Sequence, residues 1–289
     1  MKRILVTGGD SQLALCLSEI IKNRGNDYEY LFKSKDELDI TSIEALTDFF
    51  KDQEFDVCIN CAAYTNVELA EDEPERAMQV NAAAVHNLAI LCKEFNKQLI
   101  HVSTDYVFDG NSSNPYKETD DPNPINSYGR SKLQGELIIS KELTDYYIIR
   151  SSWLYSPYGK NFVKTMFELL SQNKPINVVN SQIGSPTSCY DLAKFLIFLI
   201  EEEPNNFGII HFASNNKASW YDIVRYMSES FNEYPKEQLK PIMNYPSKAA
   251  RPHFSVLAVN KVENMYAELR SWEQGVDEVL NKLREGYSR

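Results

Sequence analysis

The stretch Lys2-Arg3-Ile4-Leu5-Val6-Thr7-Gly8-Gly9-Asp10-Ser11-Gln12-Leu13-Ala14 decides the fold of this 289-residue chain. Its apolar, β-branched first half is typical of a buried strand, and the two glycines predict a tight turn. The spacing of Leu17, Ile20 and Ile21 then predicts a helix. A strand, a glycine turn and a helix together present free backbone N–H groups and a positive helix end to an anion. The stretch therefore indicates a βα unit that binds the pyrophosphate of a dinucleotide, with Gly8 in the turn.

Two residues depart from the three-glycine pattern that is usual in such turns. Ala14 stands in the third position, which needs only a small residue against the sheet. Ser11 stands in the second position, where a Cβ crowds the approach of a phosphate to the backbone. A plain βα turn without a ligand therefore stays open from this stretch alone.

Strands and helices alternate over the first 150 residues. Apolar runs predict strands at 28–32, 56–63, 98–104 and 146–151, and helical patterns lie between them, one of them starting at Glu68 and broken by Pro74. This alternation predicts an α/β fold with a Rossmann-type doubly wound parallel sheet. In this interpretation residues 1–150 are a dinucleotide-binding domain. Residues 151–289 are mainly a smaller, mixed α/β substrate-binding domain, with parts at about 176–200 returning to the Rossmann domain.

A second stretch, Asn126-Ser127-Tyr128-Gly129-Arg130-Ser131-Lys132, carries groups that could react. Asn126 or Ser127 caps a helix here, so Tyr128 and Lys132 lie one turn apart on one face. Because an ammonium favours a neighbouring phenolate, we expect Lys132 to lower the pKa of Tyr128 and make it an acid or base toward a carbonyl or an alcohol. Thr104 ends a predicted strand and is expected beside Tyr128. Tyrosine and lysine four residues apart also occur on ordinary solvated helices.

The loop after the second strand bears on the choice of cofactor. In a site for NAD, an acidic residue in this loop hydrogen-bonds the ribose hydroxyls. This chain has Lys33-Ser34-Lys35 in the loop. Cationic and hydroxyl groups suit a 2′-phosphate, so Lys33 favours NADPH. NADH stays open because loop lysines are usually only solvated. A helix capped by Asp39-Ile40-Thr41 follows.

Composition argues against several functions. The net charge of −11 argues against nucleic acid as a partner. No apolar run reaches the ~18 residues that a membrane span needs, and the N-terminus does not resemble a signal peptide, so we expect a cytoplasmic protein. The five cysteines form no disulfide framework, and Cys58-x-x-Cys61 has no second pair to complete a zinc site. We therefore assign no metal ligand.

Seven stretches, in order along nearly the whole chain, resemble the dTDP-4-dehydrorhamnose reductase family of the extended short-chain dehydrogenase/reductase superfamily. The most specific is Val102-Ser103-Thr104-Asp105-Tyr106-Val107-Phe108-Asp109-Gly110. The other six are 38–41, 60–71, Tyr128-x-x-x-Lys132, 150–155, 182–187 and Arg251-Pro252-x-x-Ser255-x-Leu257.

The resemblance implies a role for each site residue. Tyr128 would donate the proton, Lys132 would hold the nicotinamide ribose and tune the phenol, and Thr104 would hydrogen-bond the reacting oxygen. The dinucleotide would lie against Ser11, Gln12, Leu13, Asp39, Ile40, Ala62, Ala63 and Tyr64. The sugar nucleotide would contact Val67, Thr104, Asp105, Trp153 and Arg251.

The implied activity is NADPH-dependent reduction of the C4 keto group of dTDP-4-dehydro-6-deoxy-L-mannose to dTDP-L-rhamnose, the last step of dTDP-rhamnose biosynthesis. Two alternatives stay open. One is a reductase of another nucleotide 4-keto-6-deoxy sugar, including one that gives the opposite configuration at C4. The other is a non-catalytic NADP-binding regulatory subunit, like the related β subunit of methionine adenosyltransferase, although the presence of Thr104, Tyr128 and Lys132 favours an enzyme. The resemblance also implies a homodimer and leaves the use of magnesium open.

Overall fold

The computed structural model describes residues 1–22, 24 and 28–287. The strands in this part of the chain are β1 (Lys2–Thr7), β2 (Tyr28–Lys33), β3 (Val57–Asn60), β4 (Gln98–Thr104), β5 (Tyr146–Ser151), β6 (Leu154–Tyr155), β7 (Ile176–Val179), β8 (Ile183–Gly184), β9 (Thr187–Ser188), β10 (Gly208–His211), β11 (Ala218–Ser219) and β12 (Leu239–Ile242). The helices are α1 (Gln12–Lys22), α2 (Ile43–Asp52), α3 (Pro74–Met78), α4 (Ala84–Glu94), α5 (Ser127–Glu142), α6 (Phe162–Ser171), α7 (Cys189–Glu202), α8 (Trp220–Glu229), α9 (Asn260–Glu263) and α10 (Trp272–Tyr287).

The main sheet is parallel and has the strand order β10-β5-β4-β3-β1-β2. Side chains of β1 alternate between its two faces: Ile4 and Val6 pack in the core that includes α1 and α7, whereas Leu5 packs in the core that includes α2 and α4. The chain reverses its direction of travel along the sheet at β1, and ligands of such sheets bind at that reversal, beyond the carboxyl ends of the strands. The predicted Rossmann-type α/β fold is confirmed.

The second half of the chain forms two-stranded sheets and also returns to the main sheet. The small pairs are β6 with β9, β8 with β11, and β7 with β12. Helix α7 packs on α1, and β10 adds to the edge of the main sheet beside β5. Within the segment expected to return, at about 176–200, β7 (Ile176–Val179) pairs with β12 outside the main sheet, whereas α7 packs on α1. Strand β10, later in the chain, joins the main sheet as well.

Three predicted boundaries differ from the structure for local reasons. Strand β3 ends at Asn60 and not at Ala63, because the Asn60 side chain accepts the Ala62 N–H at 3.1 Å and the backbone turns away. Pro74 does not break a helix but begins α3, where its missing N–H costs no hydrogen bond. Ser42, and not Asp39-Ile40-Thr41, caps α2.

Candidate active site

Strand β4 and helix α5 bring two predicted catalytic residues together at the carboxyl edge of the sheet. Asn126 caps α5, with its Oδ1 accepting the Gly129 N–H at 2.7 Å, as one of the two predicted caps. A Cβ at Gly129 would lie 2.1 Å from the Tyr106 carbonyl oxygen, so glycine permits this close packing of the helix start. The hydroxyl of Thr104, at the end of β4, lies close enough to the phenol of Tyr128 to lower its pKa. The sequence predicted this pairing from the topology alone.

Lys132 is buried on the same face of α5, with 2% of its surface exposed. Its amino group donates to the Val102 carbonyl at 2.7 Å and lies 3.1 Å from Nε2 of His101. Burial lowers the pKa of Lys132 to about 8. Burial also raises the pKa of Tyr128, and the neighbouring Thr104 hydroxyl offsets this only in part. The expectation that Lys132 lowers the pKa of Tyr128 is therefore wrong for this structure, because the amino group is directed at β4.

Asp105 extends this group of polar side chains toward the second half of the chain. Its carboxyl lies 3.1 Å from the Thr104 hydroxyl and accepts a hydrogen bond from Ser152 at 3.1 Å. Burial raises the pKa of Asp105 to about 6, although hydrogen bonds from Ser255, Ser152 and Thr104 act against the rise. A buried carboxyl thus lies next to the candidate catalytic pair.

A cavity of about 280 Å³ lies where β1 and β3 end. Gly8 has φ of +63°, and a Cβ there would lie 2.7 Å from the Ala62 nitrogen, so only glycine keeps this wall open. The Oγ of Ser11 accepts the Ala14 N–H at 3.3 Å and so satisfies the start of α1, which gives this serine a use that glycine lacks. The predicted dinucleotide residues that line the cavity are Gly8, Ser11, Asp39, Ile40, Ala62, Ala63 and Tyr64.

Besides Tyr128 and Lys132, three more predicted dinucleotide residues lie outside this cavity. Gln12 lines a second cavity, of about 210 Å³, and Leu13 is buried in the core with 3% exposed. The ammonium of Lys33 lies over the Phe49 ring, 5.8 Å from its centroid. Lys35 and Arg76 are the cations that line the first cavity, and of these the sequence had not indicated Arg76. The first cavity therefore joins exposed backbone with two cations, which fits an anionic dinucleotide.

The predicted sugar-nucleotide residues divide between two places. Trp153 lines the second cavity; its φ is +48°, and its ring stacks on Trp220 at a centroid distance of 3.6 Å and an angle of 8°. Arg251 pairs with Glu68 at 2.7 Å and hydrogen-bonds Tyr106. Val67 is partly buried next to Glu68. The stacking partner Trp220 was not predicted, since α8 follows Trp153 by many residues.

The sequence also missed a line of polar residues beneath α5. His101 and Ser103 stand at alternate positions of β4 and face the helix, where they meet Lys132 and Glu136 respectively. Residues two apart on a strand and four apart on a helix each share one face. That spacing was available in the sequence and predicts these pairs once α5 is known to cover β4.

Residues 1–22, 24 and 28–287 contain neither a metal-binding cluster nor a membrane-spanning helix. No group of three or more His, Cys, Asp and Glu side chains in these residues could hold a metal ion. No helix in the same residues is long and apolar enough to cross a membrane.

Known proteins resemble this chain over almost its full length. The family described as the RmlD substrate binding domain matches residues 1–285. The dTDP-4-dehydrorhamnose reductases of Aggregatibacter actinomycetemcomitans and Escherichia coli strain K12 are 36% and 34% identical to it, over 96% and 97% of this chain and 98% and 97% of their own. A crystal structure of dTDP-4-dehydrorhamnose reductase from Bacillus anthracis in complex with NADP has a TM-score of 0.92 at 34% identity, covering 98% of this chain and 100% of its own. The chain belongs to the dTDP-4-dehydrorhamnose reductase family.

Proposed function

We propose that this protein reduces the C4 keto group of dTDP-4-dehydro-6-deoxy-L-mannose to give dTDP-L-rhamnose, with NADPH as the reductant, in the last step of dTDP-rhamnose biosynthesis. The observation that carries the proposal is the placement of the Thr104 hydroxyl beside the Tyr128 phenol, at the carboxyl edge of the sheet in a member of this family. A regulatory subunit has no need for such a pair.

The side chains supply what a ketone needs during reduction. NADPH, when bound, supplies the hydride that C4 receives. Negative charge then grows on the carbonyl oxygen, and Tyr128 gives its proton to that oxygen while Thr104 donates a hydrogen bond to it. Because burial raises the pKa of Tyr128, the phenol is protonated at neutral pH, which is the form that an acid requires.

The cavity at β1 and β3 is the proposed dinucleotide site. Backbone N–H groups at Gly8 and the start of α1 would face the pyrophosphate. Lys35 and Arg76 would hold a 2′-phosphate, in place of the Lys33 expected from the sequence, whose ammonium rests on Phe49. Residues 1–150 would then bind the dinucleotide and 151–289 would mainly bind the sugar, with Trp153 beside it. We also infer that the protein acts in the cytoplasm as a homodimer; its five free thiols suit a reducing compartment.

An assay with a panel of nucleotide 4-keto-6-deoxy sugars tests the activity. Oxidation of NADPH is followed with each sugar, NADH is compared at equal concentration, and the product is identified by NMR. We expect the highest kcat/KM with the dTDP sugar and NADPH, and the rhamnose configuration at C4. A talose configuration, or a preference for another nucleotide, would replace the proposed substrate or product. No turnover by folded protein that binds NADPH would favour the regulatory subunit.

The variant Tyr128→Phe tests the role of the phenol. It removes the acidic proton and leaves the ring, so turnover should fall by roughly 10²-fold or more while NADPH affinity stays close to that of the wild type. Tyr106→Phe is the matched control, since Tyr106 contacts the Tyr128 ring edge-on at 5.9 Å without occupying its place on α5. Near-normal turnover of Tyr128→Phe would remove the proton-donor role.

A further inference from the structure

The indole of Trp153 is held between two other parts of the chain. One face of the ring stacks on Trp220, with the centroids 3.6 Å apart and the planes at 8°. A Cβ at Gly184 would lie 2.5 Å from Cε2 and 2.7 Å from Cζ2 of the same indole, so glycine leaves the room that this ring needs. Because Trp220 already fills one face, the backbone of Gly184 lies against the other. Gly184 and Trp220 thus form the two walls of a slot, here called the Trp153 slot.

Two of the small sheets build the Trp153 slot. Strand β8, which ends at Gly184, pairs with β11, and Trp220 is the residue that follows β11. Strand β6 begins directly after Trp153 and pairs with β9, which follows β8 after residues 185–186. The stretch 182–187, one of the seven that resemble the family, therefore brings the walls of the slot to the backbone of Trp153.

The backbone of Trp153 has an unfavourable conformation. Its φ is +48°, in the left-handed region that a bulky residue seldom adopts. Hydrogen bonds fix the chain next to this point: the Ser152 hydroxyl donates to Asp105 at 3.1 Å, and the Thr187 N–H donates to the Trp153 carbonyl at 3.3 Å. Such conformations persist where the surrounding structure determines them, and they concentrate at ligand-binding sites. The unfavourable φ is therefore a sign that the position of this indole matters for a ligand.

Trp220 is itself fixed from two directions. Its indole N–H donates to Gln182 Oε1 at 3.0 Å, and the Phe162 ring packs on it at a centroid distance of 4.5 Å. Trp153, Trp220 and Phe162 all line the second cavity. A side chain that is already immobile loses little conformational freedom when a ligand binds against it. The Trp153 slot therefore lowers the entropic cost of binding a ligand in this cavity.

We propose that Trp220 and Gln182 are positioning residues, which hold the Trp153 indole in place before the sugar of the nucleotide sugar binds beside it. The inference rests on the proposed function, in which Trp153 lies beside that sugar. Trp220 acts through its stack on Trp153, and Gln182 acts through its hydrogen bond to Trp220. Loss of either residue weakens binding of the sugar, whereas binding of the nucleotide part, dTDP, does not depend on them.

The first test measures the mobility of the Trp153 indole and needs no ligand. Nitrogen-15 relaxation of the indole N–H groups is recorded on tryptophan-labelled protein; the chain has three tryptophans, and the signal missing from Trp153→Phe identifies residue 153. We expect an order parameter of about 0.85 in the wild type and in Trp220→Phe, and a value below about 0.6 in Trp220→Ala. Trp272→Phe is the control, because Trp272 packs on Tyr226 outside the slot. A mobile indole in the wild type, or an equally rigid one in Trp220→Ala, would overturn the proposal.

The second test compares the sugar with the nucleotide alone. dTDP-L-rhamnose, the proposed product, and dTDP are titrated calorimetrically into protein saturated with NADP⁺. Trp220→Ala should weaken binding of dTDP-L-rhamnose by roughly three- to tenfold, the effect of ordering one large side chain on binding, and leave binding of dTDP unchanged. Trp220→Phe, which keeps a flat ring against Trp153, should restore most of the loss. Equal weakening of both ligands, or of neither, would show that Trp220 does not position Trp153 for the sugar.

The two tests separate this proposal from the proposed function. A rigid Trp153 and a selective loss of affinity for dTDP-L-rhamnose, in a protein that reduces no nucleotide sugar, would support the slot and remove the reductase. An active wild type whose variants show no selective loss would do the reverse. If Trp220→Ala does not fold, Gln182→Ala decides, because it removes only the hydrogen bond to Trp220. Gln182→Ala should lower the order parameter of Trp153 and the affinity for dTDP-L-rhamnose to a smaller extent, and no change in either would overturn the proposal.

Discussion

Asp105 shows what a single buried carboxyl costs this fold. It is 2% exposed, and burial raises its pKa from 3.8 to about 6. The folded state therefore holds a proton that the unfolded chain has lost between these two pH values, and stability falls as the pH rises through this window. Above about pH 6 the full cost is present. A shift of this size corresponds to about 3 kcal/mol at most.

We predict that Asp105→Asn is more stable than the wild type at pH 8 by about 1–2 kcal/mol, because the amide avoids a buried charge but loses part of the acceptor capacity. The advantage should shrink to a small remainder at pH 4, because the wild-type carboxyl is then protonated in the folded state and about half protonated in the unfolded chain. Urea unfolding at pH 4, 6 and 8 measures the difference. Ser152→Ala is the control that removes one hydrogen-bond donor to Asp105 without removing the charge. An equal difference at every pH would show that the Asp105 charge is not the cause.

Residue-scale prediction from sequence succeeded where a pattern names both partners. The spacing of Tyr128 and Lys132, together with the strand end at Thr104, predicted that Thr104 and Tyr128 are neighbours, and the structure brings them together. Their catalytic roles stay a prediction. The sequence failed on the direction of the pKa of Tyr128, since burial depends on tertiary packing that no spacing reveals. It also did not foresee that the ammonium of Lys33 packs on Phe49, a residue of the next helix.

Helix α5 is held to the sheet by a buried ion pair that follows the catalytic residues along one face. Glu136, one turn beyond Lys132, pairs with Arg150 of β5 at 2.7 Å, and both side chains are 2% exposed. Ser103 also donates to Glu136 at 2.5 Å. Removing one partner would leave the other as a buried charge without a counter-charge, whereas removing both partners leaves no buried charge at this position. The pair therefore fixes where α5, and with it Tyr128, lies on β4 and β5.

We predict that Glu136→Gln and Arg150→Met each lower the free energy of unfolding by about 3–5 kcal/mol, and that the double variant is less destabilised than the two single changes together. A double-mutant cycle by urea denaturation measures this coupling. Glu142→Gln is a control on the same helix, because Glu142 pairs at 3.3 Å with Lys93, whose side chain is 60% exposed. It should cost at most about 1 kcal/mol. If the two single changes in the free energy of unfolding simply added in the double variant, the ion pair would not be what fixes α5 on the sheet.

The sequence predicted the parallel sheet correctly, but it predicted the boundaries of individual strands and helices less accurately. Strands β4 and β5 have the predicted bounds, since their apolar runs end at polar residues. The error at β3 has a clear cause: the small residues 61–63 continue the apolar run, but the Asn60 side chain captures a backbone N–H and turns the chain. A hydrogen bond from a backbone N–H to a side chain depends on the folded geometry, so apolar periodicity in the sequence does not predict it.

The folded structure of the first half depends on two elements of the second half that pack against it. Helix α7 packs on α1, and β10 covers the edge of β5. The largest core cluster joins Ile4 and Leu17 of the first half to Phe195 and Val279 of the second. The predicted boundary between 1–150 and 151–289 therefore does not divide the hydrophobic core. Sequence patterns miss such a return because α7 and β10 look like any other helix and strand.

We predict that a fragment of residues 1–150 does not fold cooperatively, because it exposes the face of α1 that α7 buries and leaves the backbone of β5 without its partner β10. The full chain should instead unfold in one transition. Urea unfolding followed by far-UV circular dichroism and by tryptophan fluorescence tests this, since all three tryptophans, Trp153, Trp220 and Trp272, lie after residue 150. Coincident curves for the full chain and a broad transition for the fragment are the expected result. A fragment that unfolds sharply and binds NADPH would show that the first half is an independent domain, and the returning segment would then only cover it.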